Sequence, residues 1–267
     1  VCVGLNSMIE GEEGDEGNSR ISGDKVDLLL PGLQNQLLEA VVATGTPTIA
    51  VILAGSAMDL TWAQGHADAV IQAWYPGPEG GIALAELLFG KTDFSGRLPV
   101  TFVKHTDDLP AFEDYTMTGR TYRFMEKDPL YTFGYGLSYN EYSYSDISLS
   151  KSVVGADENV TLSVKVTNDS TMAGREVVQA YLKDLDASVR VANYNLVGFM
   201  SILLQPGETR EVAFEIESDQ MCIVDAEGEF VLEAGKFAAF VGGTGPDKVT
   251  ESLTGKKVLS IDFEVKL

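Results

Sequence analysis

Several common chemistries lack the residues they need. Only two histidines occur, His66 and His105, and only two cysteines, Cys2 and Cys222, far apart in the chain. Structural and catalytic zinc sites are built from clusters of these residue types, so no zinc site is expected. Two isolated cysteines read as buried free thiols rather than a disulfide framework, which favours a cytoplasmic setting over an oxidising one. Both histidines read as helix-end or surface residues. No hydrophobic run approaches the ~18 residues of a membrane span. Basic residues are scarce, 19 against 40 acidic ones, giving a net charge of −21. That excludes nucleic acid and anionic membranes, whose phosphates need clustered Lys and Arg. A signal peptide is also missing: Val1 opens inside an apolar, strand-like run, as a piece of a longer protein would, so the N-terminus does not decide localisation.

Other readings fail on their patterns. Gly55-Ser56 is flanked by Ala54 and Ala57, not by the glycines of a nucleophile elbow. Gly77, Gly80 and Gly81 precede a helix, but no Walker lysine and no full dinucleotide fingerprint accompanies them, so close backbone approach is the better reading. Trp74 and Tyr75 could stack on a sugar, but aromatics at a strand end read first as core. Asn159-Val160-Thr161 and Asn168-Asp169-Ser170 are glycosylation sequons of a kind that chance supplies at this length.

What is present falls into two halves. Over residues 1–103, short apolar runs alternate with helical patterns. Thr48–Leu53 is a continuous apolar run, as in a strand covered on both faces. Leu33, Leu37, Leu38, Val41 and Val42 recur at helical spacing, with Gly45 and Pro47 as stop signals. A strand over Ala69–Trp74 and a helix over Glu79–Phe89 follow. This order predicts a mostly parallel sheet between helices. About three strands are visible, so further strands are expected to lie outside this sequence. Residues 104–140 lose periodicity and read as an aromatic-rich interdomain loop pinned along both domains. From 141 to 267 the period becomes two, as in Val160, Leu162, Val164 and Val166, in Val212, Phe214 and Ile216, and in Leu259, Ile261, Phe263 and Val265. Turn signals such as Gln205-Pro206-Gly207-Glu208 separate the strands, which predicts an immunoglobulin-like β-sandwich.

The densest chemistry is the loop Glu10-Gly11-Glu12-Glu13-Gly14-Asp15-Glu16, where five of seven residues carry carboxylates. It follows the run Val1–Leu5, and open α/β sheets place their working groups on loops leaving strand ends. The spacing does not fit an EF-hand, which alternates acids around a central glycine before a distal Glu. No metal and no cofactor is expected. A solvated surface turn is the plain alternative.

Three stretches carry a resemblance. The first runs from Gly4-Leu5-Asn6 through the acidic loop to Ser22-Gly23-Asp24-Lys25 and Leu30-Pro31-Gly32-Leu33-Gln34. The second is Trp74-Tyr75-Pro76-Gly77-Pro78-Glu79-Gly80-Gly81 with Ser95-Gly96-Arg97-Leu98-Pro99-Val100-Thr101-Phe102. The third is Gly119-Arg120-Thr121-Tyr122-Arg123-Phe124 with Tyr131-Thr132-Phe133-Gly134-Tyr135-Gly136-Leu137-Ser138-Tyr139. Together they resemble the C-terminal portion of glycoside hydrolase family 3 enzymes of the β-glucosidase and β-xylosidase type. The second half resembles that family's fibronectin type III-like domain at Val164–Asn168, Val177–Leu182, Leu196–Phe199 and Leu204–Thr209.

The resemblance implies a partial α/β sandwich followed by a fibronectin type III β-sandwich. It implies a retaining β-glycosidase acting on terminal β-D-glucosides or β-xylosides, with β-linked oligosaccharides or aryl glycosides as substrates. Retaining hydrolysis needs two carboxylates about 5–5.5 Å apart. The family's Glu-X-Glu pattern points to Glu12 as acid/base, with Glu10 and Glu13 as alternatives. The nucleophile, an Asp, would lie on a (β/α)8 barrel that this sequence does not contain. The isolated chain is then expected to be inactive. Residues that bind the sugar are not readable. The sandwich would brace the assembly or mediate contacts in a homodimer. The competing class is a non-catalytic accessory or carbohydrate-binding module.

Overall fold

The computed structural model of the chain describes residues 1–6, 9–10 and 25–267. They form two compact units that interleave in sequence. The first comprises Val1–Lys91, Thr101–Thr116 and Lys127–Leu130; the second comprises Thr92–Val100, Met117–Glu126 and Tyr131–Leu267.

The first unit is an α/β layer: β1 (Cys2–Gly4), α1 (Gln34–Val42), β2 (Ile49–Leu53), α2 (Thr61–His66), β3 (Ala69–Gln72) and α3 (Gly80–Leu88). Its three described strands pair in parallel in the order β1-β2-β3. Central β2 buries Ala50, Val51 and Ile52 in succession, as a strand covered on both faces must. The α1 stop is as the sequence predicts: Gly45 takes the left-handed conformation (φ +73°), and its N–H bonds Val42 O at 3.0 Å.

Three local expectations need correction. In α1, Leu38 is fully buried while Leu33 and Leu37 stay exposed. Leu33 precedes the helix, and the inward stripe runs Gln34, Leu38, Val41 and Val42. β3 stops at Gln72, because Trp74 turns the chain at φ +53°. Neither cysteine is a buried thiol: both are free, Cys2 is exposed on β1 and Cys222 is half-buried. Cys2 and Val3 point to opposite faces of an edge strand, and only Val3 meets the core.

Gln34 explains one resemblance landmark. Its amide accepts from Gly4 N–H (2.6 Å) and donates to Gly4 O (2.9 Å), closing the end of β1 against the start of α1. Gly4 sits at φ +144°, and a Cβ there would collide with Leu53 O, so only glycine fits.

The second unit is a β-sandwich. Its strands are β4 (Tyr142–Leu149), β5 (Val153–Val154), β6 (Val160–Asn168), β7 (Gly174–Asp184), β8 (Asn195–Leu204), β9 (Thr209–Ile216), β10 (Ile223–Val224), β11 (Phe230–Val231), β12 (Gly235–Gly242) and β13 (Leu259–Val265). Sheets ordered β5-β13-β12-β7-β8 and β4-β6-β9 face each other, and β10-β11 is a small hairpin. Short helices α4 (Thr121–Phe124) and α5 (Lys248–Thr254) accompany them. Residues in β6 alternate buried and accessible from Val160 to Asn168, as period two requires. The core joins Val160, Leu162, Val164 and Val166 to Val178, Ala180, Val212, Phe214, Ile216 and Phe263. Asn168 is fully buried and donates to Met172 O (2.8 Å) and Leu204 O (3.2 Å), so its sequon is closed to a glycan.

β7 breaks the alternation: Val178 through Leu182 are all buried. Its outer face is covered by loop segments of the same unit. Gln179 donates to Gly134 O (3.0 Å), and Tyr181 meets Tyr122 and Tyr194 edge-on within an aromatic cluster completed by Phe133. The segment Thr92–Val100 is tied down by two buried acids. Asp93 accepts from Ser138 Oγ (2.7 Å), Tyr139 N (2.8 Å) and Asn140 Nδ2 (3.0 Å). Arg97 pairs with Glu176 of β7 at 2.7 Å and donates to Gly243 O at 3.1 Å, while Tyr144 donates to the other Glu176 oxygen at 2.6 Å.

Removing one member of this pair leaves an uncompensated buried charge, so Glu176→Ala is expected to lose about 3–5 kcal/mol in urea unfolding. Burial raises the Glu176 carboxyl above its ordinary value, against the opposing pull of Arg97, Tyr144, the Val177 amide and Lys256. The folded state therefore holds the Glu176 proton more tightly than the unfolded chain does. That stabilising contribution is full below the ordinary glutamate value of about 4.3 and is lost as pH rises through the raised folded value. Relative to Glu176→Gln, the wild-type Tm should fall as pH climbs out of that range; a difference that is flat or grows would contradict it.

Candidate active site

Glu10 is the described member of the acidic loop; Glu12 and Glu13 lie outside the described residues. A turn begun by Asn6, whose carbonyl accepts the N–H groups of Ile9 and Glu10 at 2.9 Å each, carries Glu10 away from β1. The Glu10 carboxylate then meets donors from two other loops. Gly55 N–H donates to it at 3.0 Å, and the Ser56 hydroxyl donates to its other oxygen. The Tyr75 hydroxyl donates to the oxygen shared with Gly55. Gly55 and Ser56 follow β2, and Tyr75 follows β3. One carboxylate thus draws together the C-terminal ends of all three parallel strands, the edge where open α/β sheets hold ligands.

The surrounding backbone is shaped for this contact. A Cβ on Gly55 would lie 2.9 Å from Tyr75 Cε2 and 3.1 Å from Glu10 Oε2, so a side chain there would push the pair apart. Trp74, half-buried and edge-on to Phe102, adopts a left-handed φ uncommon for a bulky residue. This places the next residue, Tyr75, half exposed with its hydroxyl on Glu10 rather than in the core. A Cβ on Gly80 would collide with the Pro76 ring, as close backbone approach predicts; Gly77 instead supplies a left-handed turn (φ +72°), and Gly81 has open space.

The surroundings of Glu10 act on its carboxyl in opposing directions. Partial burial pushes its carboxyl up, but hydrogen bonds from Ser56, Tyr75 and Gly55, with the field of Lys25, outweigh that and carry it below its ordinary value. Glu10 is therefore a carboxylate at neutral pH, a poor proton donor. Burial and the adjacent Glu10 charge push the Tyr75 phenol up to about 12, so it stays a donor. Burial pulls the Lys25 ammonium down while Glu10 and Asp27 oppose it; its Nζ reaches Ala57 O (3.4 Å) and Met58 Sδ (3.2 Å).

Both histidines are exposed: His66 ends α2, stacked on Trp62, and His105 bonds Asp59 at 2.8 Å. The Ser56 hydroxyl points to a carboxylate, not to an imidazole. The sequence pattern singled out Gly55, Ser56, Tyr75 and Lys25 for other reasons and joined none of them to Glu10. Their signal was position, since Gly55, Ser56 and Tyr75 follow strands parallel to the one that leads into the acids.

Comparison with known proteins decides the family. The glycosyl hydrolase family 3 C-terminal domain matches residues 1–139, and a fibronectin type III-like domain matches residues 176–244. The chain belongs to glycosyl hydrolase family 3. It is 35% identical over 239 residues to the periplasmic beta-glucosidase of Salmonella typhimurium, covering 85% of this chain and 31% of that protein. It is 36% identical over 260 residues to the xylan 1,4-beta-xylosidase of Xylanibacter ruminicola, covering 95% of this chain and 29% of that protein. Among solved structures, a β-glucosidase from Erythrobacter marinus matches with a TM-score of 0.83 at 33% identity, covering 99% of this chain and 34% of that one. A Listeria innocua β-glucosidase in complex with gluconolactone matches with 0.80 at 28% identity, covering 100% and 36%. This family 3 chain therefore spans about a third of the length of the relatives it matches.

If the three donors hold Glu10 ionised, removing one leaves burial less opposed. Ser56→Ala and Tyr75→Phe should each raise the midpoint of the Glu10 carboxyl, followed by 13C NMR, from below the ordinary value of about 4.3 toward it. An unchanged midpoint in both variants would rule the clamp out.

Proposed function

We propose that this chain is the acid/base-bearing portion of a retaining β-glycosidase that hydrolyses terminal β-D-glucosides or β-xylosides. The nucleophile is an Asp on a barrel domain outside this sequence. The observation that carries the reading is the place of Glu10: the root of the acidic loop is tied to the C-terminal edge of the parallel sheet. Glu12 follows that anchor by two positions in the sequence. The named activities of the family relatives, β-glucosidase and β-xylosidase, support the substrate class.

The chemistry follows from two steps. In the first, the barrel carboxylate attacks the anomeric carbon while the Glu12 acid protonates the departing glycosidic oxygen. In the second, the Glu12 carboxylate takes a proton from water, which displaces the enzyme carboxylate. Glu12 must hold its proton in the first step, and neighbouring negative charge raises a carboxyl pKa. Glu10, ionised two residues away, is one such charge.

The test uses the full-length protein that carries these residues. Glu12→Gln should lower kcat/KM for a methyl or cellobiosyl β-glycoside by about 10²–10⁴-fold, the usual worth of general acid catalysis. With a 2,4-dinitrophenyl glycoside, whose leaving group needs no proton, kcat/KM should stay close to wild type. Equal losses on both substrates, or none on either, would remove Glu12 from the role.

A further inference from the structure

Glu10 matches the Glu-X-Glu pattern as well as Glu12 does, yet its surroundings suit a different task. Its carboxylate accepts three hydrogen bonds, from the Gly55 amide, the Ser56 hydroxyl and the Tyr75 hydroxyl. Those donors engage both of its oxygens. They come from loops after two different strands, so the carboxylate ties the start of its own loop to the rest of the sheet edge. Side-chain space and backbone conformation are committed to the same contact, through the bare Gly55 and the left-handed Trp74. A solvated surface acid would call for neither.

We propose that Glu10 is a positioning residue: with Gly55, Ser56 and Tyr75 it forms a clamp that anchors the acid-bearing loop at the C-terminal edge of the sheet and holds the proton donor in register with the glycosidic oxygen. The proposal rests on the reading of Glu12 as the acid/base. Glu10 acts through that residue and touches no reacting atom. Tyr75 belongs to the clamp through its hydroxyl, which is committed to Glu10.

The experiment compares Glu10→Gln, Tyr75→Phe and Ser56→Ala with Glu12→Gln in the full-length protein, each checked for an unchanged thermal transition. Displacing a catalytic group by about 1 Å can cost about 10²-fold. Glu10→Gln should therefore lower kcat/KM for an unactivated β-glycoside by about 10–100-fold, and Tyr75→Phe by less, with the dinitrophenyl glycoside within about twofold of wild type. Joining Glu10→Gln to Tyr75→Phe should add little to the larger single loss, because both changes undo one clamp. Azide separates anchor from acid. With the acid/base removed, azide attacks the glycosyl-enzyme at its anomeric carbon and displaces the enzyme carboxylate, giving a glycosyl azide. Glu12→Ala should yield that product and Glu10→Ala should not.

Glycosyl azide from Glu10→Ala, but not from Glu12→Ala, would make Glu10 the acid and overturn the clamp while leaving the glycosidase reading intact. Clamp variants that lose activity equally on both substrates, or on neither, would overturn positioning alone. A Glu12→Gln variant insensitive to leaving group would instead sink the reading on which the clamp rests. If Glu10→Gln fails to fold, Tyr75→Phe and Ser56→Ala carry the comparison, since each removes one donor and leaves the carboxylate in place.

Discussion

A single carboxylate organises the working edge of the α/β unit. Glu10 accepts hydrogen bonds from two loops, and with its own loop this brings the ends of β1, β2 and β3 to one point. Strand ends in a parallel sheet diverge into unrelated loops, and something must hold those loops together if a group on one of them is to act with precision. An ionised acceptor suits the task because hydrogen bonds to a charge are shorter and stronger than neutral ones. The same hydrogen bonds lower the Glu10 carboxyl against the opposing effect of its burial.

The second unit shows the same economy with buried charge. Arg97 and Glu176 meet inside the covered outer face of β7, and Tyr144 and Gly243 O satisfy their remaining groups. Burial still raises the Glu176 carboxyl despite its partner, so desolvation outweighs the attraction. Such a pair contributes specificity of docking more than net stability. It fixes where Thr92–Val100 lies on the sandwich sheet, as Asp93 does a few residues earlier. Two aromatic residues of the loop segment join the compact structure: Tyr122 and Phe133 stack 4.5 Å apart against Tyr181 and Tyr194, covering what would otherwise be the wet side of β7.

Landmarks first legible as resemblance acquire physical reasons. Gln34 is needed because it satisfies both backbone groups of Gly4. Arg97 is needed because Glu176 is buried, and Gly80 because Pro76 lies against it. These reasons concern folding, and they run through nearly the whole chain. Other features were out of reach of pattern. Cys2 is as apolar as its neighbours yet faces outward, on the face of β1 opposite Val3. Leu33 and Leu37 fit a helical stripe that the fold rotates in favour of Gln34.

The sequence by itself determined the two kinds of layer, because hydrophobic period is a local property: the successive burial of Ala50, Val51 and Ile52 and the strict alternation in Val160–Asn168 follow from neighbouring residues alone. It also determined the family, since the landmarks survive in order. What only tertiary structure decided is that Glu10, among the described residues, gathers these donors. Glu10, Ser56 and Tyr75 are separated by up to 65 positions, and their hydrogen bonds arise from the parallel register of three strands. A carboxyl's proton affinity is set by what surrounds it in space, and a linear pattern of acids carries no record of that.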